Sequence, residues 1–542
     1  MKEEIGALIQ KSIEVLKSQE KLKTVHIPKI EIEIPQNKAY GDYSSNIAML
    51  LAKEEACSPK FLADIIVDQI LKRKDTKNII KKISSAGPGF INITINDKFL
   101  QKELLKIKKL DKNYGKGKIG KKEKVLIEFV SANPTGPLHV GHGRWAVLGD
   151  AIAKLLEAAG FKVKREYYVN DVGSQIDLLL DSVKARIQRR PIPEGGYGGI
   201  YIDGIAKKLK SKISSPKLKD IVLNLIIKEH KSDLEMLGVK YNSWISESKL
   251  HKSGKVNKAI ERLKEKNMTF IEKGALWFKS KELGDDKNRV LVREDGEPTY
   301  FSADIAYHKD KFRRGFDRLI NVWGTDHHGY IARLRAALQA LDLPVNRLDI
   351  IIGQLVTLYR GQEPVRMSKR TGEMVTLQEV VEEIGKDEAR FFFVMLSPDT
   401  HLDFDLELAK KKSHENPVYY VQYAHARICS ILREAEKRGF KKKDIGKRVT
   451  LSLLKEEAER NLVLKLGAFP DVVKEAALAE MPHRLTIYLR ELATIFHNFY
   501  QKVRVLGPDK ELSKARLLLV DATRIVLRNV LELLGISAPK RM

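Results

Sequence analysis

Apolar and polar positions divide this chain into stretches of different period. The opening twenty residues, MKEEIGALIQKSIEVLKSQE, set apolar side chains at helical spacing among charges, which predicts an amphipathic helix. Short β-like runs at Lys29–Ile34 and Gly89–Ile95 follow, so residues 1–107 read as a small α+β domain. Residues 108–124, KKLDKNYGKGKIGKKEK, are rich in Lys and Gly with little to bury, and this predicts a solvated basic linker at a domain boundary.

Past that boundary the pattern becomes that of a covered sheet. VLIEFV (Val125–Val130) is an apolar run with one acid, suited to a strand buried on both faces. A helical pattern over Trp145–Ala159 stops at Gly160, and strand-like Lys162–Val169 completes a βαβ unit. Strand-like Arg318–Trp323 and Asp349–Leu358 alternate with helical runs such as Gly329–Leu341. Residues 125–412 therefore read as a doubly wound, Rossmann-like α/β domain, whose ligands sit beyond the carboxyl ends of the strands. A mostly helical insert is expected over about 172–290; its Gly-rich break, PEGGYGGIYIDG, lacks the Gly-Lys-Ser/Thr of a phosphate loop and reads as a turn. From 413 to 542 the amphipathic runs Asn416–Lys437, Leu485–Val503 and Ser513–Leu534 predict an all-α bundle.

Composition narrows the partners. The chain has 542 residues and a formal charge of +27, which favours polyanions, although a merely basic surface has the same charge. Cys57 and Cys429 are too few and too far apart for a four-thiolate zinc site, so no protein-bound zinc is expected. No apolar stretch reaches the roughly 20 residues a membrane span needs, and no export signal is evident, so the expected address is the cytoplasm.

Two segments carry chemistry. In EFVSANPTGPLHVGHGRWAVLGD (Glu128–Asp150) a strand gives way to a Pro/Gly-rich loop, and His139-Val140-Gly141-His142 stands where a helix begins. Free helical N–H groups and the positive dipole end suit ATP phosphates, with Gly141 and Gly143 allowing close approach and the histidines donating to phosphoryl oxygens. A histidine metal pair or two surface histidines remain open on this segment alone. In LYRGQEPVRMSKRTGEMVTL (Leu358–Leu377), Arg366-Met367-Ser368-Lys369-Arg370 offers a mobile cation, which by itself would read as a solvated loop.

HxGH after the first strand and MSK after the last, in that order, resemble the paired signature of class I aminoacyl-tRNA synthetases. SANPTGPLHVGH, DVGSQIDLL, WISES, TYFSADIAYH, WGTDHHGYI, NPVYYVQYAHARI, LGISAPKRM, YGDYSSNIAMLLAK and GPGFINITI resemble the arginyl-tRNA synthetases in particular, over nearly the whole chain. The family's KMSKS loop begins with Lys and ends with Ser, whereas Arg366 and Arg370 stand here; Lys369 is therefore given the main phosphate role and Arg366 an auxiliary one.

The resemblance implies an arginine–tRNA ligase using ATP with substrate-bound Mg²⁺. His139, His142 and Lys369 would be catalytic; Gly141, Gly143, Asp326, His328 and Met367 would complete the ATP site, and His327 is equally suited to a structural role. Arginine would be held by Glu128 and Asp304 at the guanidinium, Tyr300 on its stem or plane, and Asn133, Ser131 and His139 at the other end. Two carboxylates are the chemistry a five-donor cation calls for, though a strand-end acid and a helix cap would also explain Glu128 and Asp304. Tyr420, Tyr423, His425, Arg427 and Met542 are candidates for reading tRNA bases, with packing as the alternative for each. The N-terminal domain would touch the tRNA elbow, tRNA would have to be bound before arginine is activated efficiently, and a monomer is expected. Two alternatives are a class I synthetase for another amino acid and a non-catalytic tRNA-binding paralogue; intact His139, His142 and Lys369 disfavour the second.

Overall fold

The computed structural model describes residues 1–365, 375–441 and 449–542, with the backbone alone at residue 326. The first helix, Lys2–Ser18, buries Ile5, Leu8, Ile9, Ile13 and Leu16, the one-sided stripe its spacing predicts. It packs on the helix Pro59–Leu71 beside an antiparallel sheet of β1 (Tyr43–Ser45), β2 (Ile80–Ala86) and β3 (Phe90–Ile95), with β3 in the middle. The expected run Lys29–Ile34 contributes a single bridge, Glu33 to Ser44.

Residues 108–124 differ from the expected solvated linker. Helix Asp97–Leu110 runs into the segment, and Tyr114 is fully buried. Its hydroxyl donates to Glu103 Oε1 at 2.9 Å and lies 3.1 Å from the Leu466 carbonyl, while Asn529 donates to the carbonyls of Asp111 and Tyr114. One tyrosine with a buried polar partner docks a segment whose average composition is hydrophilic.

The central sheet is built from β4 (Lys124–Phe129), β5 (Lys162–Val169) and β6 (Ser243–Ser246), then, after an antiparallel trio β7 (Thr269–Glu272), β8 (Ala275–Phe278) and β9 (Arg289–Val292), from β10 (Arg318–Gly324) and β11 (Leu348–Gly353). Its order is β11-β10-β4-β5-β6, with every neighbouring pair parallel. Crossovers run one way from β4 and the other from β10. The doubly wound domain is thus present, and its switch point opens between β4 and β10.

Two sequence expectations change here. The 172–290 stretch is not wholly an insert, because β6 belongs to the core sheet and β7–β9 form a small sheet of their own. Asp349–Leu358 is not one strand: β11 ends at Gly353, and β12 (Val356–Arg360) pairs instead with β13 (Glu363–Pro364) and, in parallel, with β14 (Leu402–Asp405). A Cβ at Gly353 would lie 2.5 Å from the Trp145 indole nitrogen, so the strand ends where a helix side chain needs its space.

Helices Pro417–Lys437, Glu457–Gly467, Phe469–Ala479, His483–Lys502 and Lys510–Leu534 form the C-terminal bundle. Asn416 caps the first by accepting from Val418 N at 3.0 Å, with Pro417 in the first turn. Gly535, at φ +70°, ends the last, and a Cβ there would meet the Arg390 guanidinium. Fully buried Arg390 donates to Leu534 O (2.7 Å), Leu237 O (2.7 Å) and Asp150 Oδ2 (2.6 Å), tying bundle, α/β-domain helices and insert together. Among the described residues no helix is long and apolar enough to cross a membrane.

Candidate active site

The chain leaves β4 through two consecutive left-handed residues, Val130 (φ +69°) and Ser131 (φ +42°). Such backbone costs on the order of 1–3 kcal/mol per residue and persists only where surroundings enforce it. Here they do. Ser131 Oγ donates to Glu128 Oε1 at 2.8 Å and accepts from Tyr168 N at 3.1 Å. Tyr241 donates to the Phe129 carbonyl, Tyr201 to that of Thr135. His230 Nε2 lies 2.7 Å from the Gly136 carbonyl and its Nδ1 3.2 Å from the Tyr167 hydroxyl. Burial pushes the His230 imidazole down to about 4. The ring is therefore neutral at pH 7, donating from Nε2 and accepting at Nδ1. Side chains of the following helices thus hold the loop that leads to His139.

Helix Val140–Ala158 starts at that loop, with His139 as its N-cap. His139 Nδ1 accepts from Gly141 N (3.1 Å), His142 Nδ1 accepts from His139 N (3.2 Å), and the rings stack at 3.7 Å. Using Nδ1 as acceptor assigns the proton of each neutral ring to Nε2, the tautomer that can donate to a phosphoryl oxygen. At Gly143 a Cβ would meet Leu377 Cδ1 at 2.5 Å and Phe393 at 3.1 Å, so helix packing also requires its bareness.

The chain that follows residues 366–374 re-enters at this spot, where Thr376 bridges His139 and Leu377 N donates to Leu138 O at 2.7 Å. Lys369 and Met367, with Arg366 and Arg370, lie outside the described residues. Asp326 occupies the turn Thr325–His327 at the carboxyl end of β10, across the switch point, and its side chain is likewise outside the description. His328 is exposed there; His327 packs its ring near Trp323 and Tyr330.

Carboxylates gather at the other wall. Glu128 is already engaged: Lys311 Nζ, fully buried, donates to its Oε2 at 2.5 Å and to Asn321 Oδ1 at 2.9 Å, while Ser131 takes Oε1. Asp304 receives the Tyr330 hydroxyl at 2.5 Å, its one side-chain hydrogen bond among the described residues, and burial pushes its carboxyl up to about 7. Glu247, at the first residue after β6, is buried too. Burial pushes it up to about 8, with Asp304 and Asp171 adding repulsion. Tyr300 stands beside them over Gly173, where a Cβ would lie 2.0 Å from its hydroxyl. Two acids forced towards neutrality by burial and by each other suit a cationic ligand. Asn133 is exposed and donates to Gln175 Oε1 at 2.9 Å.

The structure thus brings Ser131, Glu128, Asp304 and Tyr300 to one wall and His139 and His142 to the helix start. Glu247 had no role in the sequence reading. Its signal was an acid directly after a strand, hidden because SWIS (Ser243–Ser246) was read within a helical insert.

A model of the class I (R) tRNA synthetase catalytic domain matches residues 103–194 and 205–394, and one of the arginyl-tRNA synthetase N-terminal domain matches 3–95. The arginine–tRNA ligase of Heliobacterium modesticaldum is 45% identical, covering 99% of this chain and 98% of its own. That of Moorella thermoacetica is 48% identical, covering 95% and 94%. The chain belongs to the arginyl-tRNA synthetases. Its activity is that of an arginine–tRNA ligase. The solved arginyl-tRNA synthetase of Thermus thermophilus, 24% identical, shares the fold over 100% of both chains with a TM-score of 0.78.

A DALR anticodon-binding domain model matches residues 421–542 of this synthetase, a range that holds four of the five candidates, with Tyr420 one residue before it. His425 is buried, with Nδ1 at 2.8 Å from the Pro539 carbonyl, so it ties down the C-terminal tail and presents no ring to RNA. Of the two roles weighed for His425 this is the packing one, because the helix face it occupies is packed inward. Tyr420 is half-buried against His497 and 3.3 Å from Thr494 Oγ1. Tyr423 and Arg427 share an outer face: the guanidinium hydrogen-bonds the Tyr423 hydroxyl and lies over the rings of Tyr423 and Tyr500. Arg427 and Tyr500 also line a cleft of about 860 Å³ with Arg433, Lys437, Arg438 and Arg504. Met542 is exposed.

Proposed function

We propose that this synthetase condenses L-arginine with ATP at the β4/β10 switch point and transfers the product to the 3′-terminal adenosine of a bound tRNA. The observation that carries the reading is the pair Asp304 and Glu247, a half-buried and a buried carboxylate whose charges repel each other. Arginine enters with its guanidinium against Asp304 and Glu247 and its stem along Tyr300. Glu128, neutralised by Lys311, shapes the wall and holds Ser131. Asn133, Ser131 and His139 lie on the side of the α-amino and carboxylate groups.

An oxygen of the arginine carboxylate attacks the α-phosphorus of ATP, a P–O bond breaks, and pyrophosphate leaves. The nucleophile is already ionised, so catalysis is positioning and stabilisation of developing charge. His139 and His142 donate from Nε2; Lys369 supplies the opposing cation, with Asp326, His328, Gly141 and Met367 around the nucleotide. Among the described residues no cluster of His, Cys, Asp or Glu could hold a metal. Mg²⁺ would accompany the ATP substrate and neutralise charge on the departing phosphates. The ribose 2′-hydroxyl of the tRNA end then attacks the adenylate carbonyl and AMP leaves. Tyr423, Arg427 and the cationic cleft beside them meet the anticodon region, aided by Tyr420 and Met542, and the N-terminal domain meets the elbow. The reading takes the enzyme to act as a monomer in the cytoplasm.

ATP–pyrophosphate exchange over the twenty amino acids, with and without total tRNA, tests this. Exchange is expected with arginine, and strongest when tRNA is present; exchange driven by another amino acid would overturn the specificity.

A further inference from the structure

Asp171 is a carboxylate that no step above uses, and it is held unusually well. It sits two residues beyond β5, at the carboxyl edge of the sheet, where Val169 pairs with Ser246 of β6. Three hydrogen bonds reach it from the turn after β6. Ser248 N donates to Oδ1 at 2.7 Å, Ser246 Oγ to Oδ2 at 2.7 Å, and Ser248 Oγ to Oδ2 at 2.8 Å. The two serine hydroxyls lie 2.9 Å apart, and Ser246 Oγ also accepts from Lys249 N at 3.3 Å. The residue enclosed by the two serines is Glu247.

We propose that Asp171 is a positioning residue for arginine selection: by gripping Ser246 and Ser248 it fixes the backbone on both sides of Glu247 and so aims that carboxylate at the guanidinium. The inference rests on the reading of Glu247 as a guanidinium partner. The geometry favours it over simple helix capping, because the helix concerned, Glu247–Lys252, is only six residues long and Ser246 already caps it. A cap alone needs one acceptor, yet three bonds converge here from either side of one side chain. A carboxylate meets a guanidinium bidentately only within a narrow range of orientation, and a misplacement of about 1 Å costs about a hundredfold. Asp171 lies in DVGS and Glu247 in WISES, so the contact joins two segments over seventy residues apart in sequence.

The test compares Michaelis constants for arginine and ATP in full-length Asp171→Ala, Asp171→Asn and Glu247→Gln enzymes, by ATP–pyrophosphate exchange with tRNA present. Asp171→Ala is expected to raise the arginine KM about tenfold to a hundredfold and leave the ATP KM within about twofold. Asp171→Asn should recover much of the loss, since its oxygen still accepts from Ser248 N and its amide can donate to the serine hydroxyls. If Glu247→Gln leaves the arginine KM unchanged, the underlying reading of Glu247 fails. If Glu247→Gln raises it while Asp171→Ala, melting as the parent does, leaves it in place, the positioning role alone is overturned. Should Asp171→Ala not fold, Ser248→Ala removes one bond only; a rise of a few-fold confined to arginine is expected, and equal rises for arginine and ATP would overturn the proposal.

Discussion

Asp304 and Glu247 give the site a dependence on pH whose sign follows from their surroundings. Without ligand, burial holds their carboxyls at about 7 and about 8. A guanidinium pairs with the ionised forms, so binding releases protons and affinity grows as pH rises. For one group titrating at 7 the ionised fraction grows about tenfold between pH 6 and 8, and the arginine KM is expected to fall by about that factor. KM profiles for arginine and ATP check this; an arginine KM that is flat with pH would remove the two acids from the pocket. Asp304→Asn should reduce the pH dependence to the part due to Glu247 and weaken arginine while leaving the ATP KM nearly unchanged, since it removes an anion and retains the shape. Lys369→Ala should slow adenylate formation in single-turnover measurements and leave tRNA affinity nearly intact.

The helix Val140–Ala158 owes its place to small residues. A Cβ at Gly149 would come within 2.2 Å of the Phe129 ring, so the helix rides directly on β4. Gly149→Ala gains helix propensity yet overpacks a closed interface, and a net loss of about 1–3 kcal/mol is expected by urea denaturation. This contact was not legible in the sequence, where Gly149 reads only as a helix breaker in an otherwise strong pattern. The helix itself was legible from Trp145 on. Its first turn was recognised by the histidines and not by periodicity, because capping by a His-Val-Gly-His run has no apolar stripe. Strand β6 was missed for a related reason: SWIS is too short and too half-buried to stand out from the helices around it.

Domains meet in this molecule through buried ions as much as through apolar surface. Arg460 reaches Asp42 with both terminal nitrogens (2.8 and 2.6 Å) and Asp97 at 2.9 Å, joining the N-terminal domain to the bundle. Arg390 joins bundle and catalytic helices more tightly. Arg390→Met should cost about 3–5 kcal/mol, since it strips one partner from buried Asp150 and two carbonyls of their donor; a thermal melt reading both helix content and tryptophan fluorescence checks it. By itself the sequence determined the class of molecule: periodicity predicted the order of domains, and motif order and wording identified the family, because both are written in adjacent residues. Only the tertiary structure separated the carboxylates by their partners. Glu128 and Glu247 look alike along the chain, and what separates them is a lysine 183 residues away from Glu128 that reaches it and not Glu247. Burial, partners and charge are properties of packing, and packing is set by residues far apart in sequence.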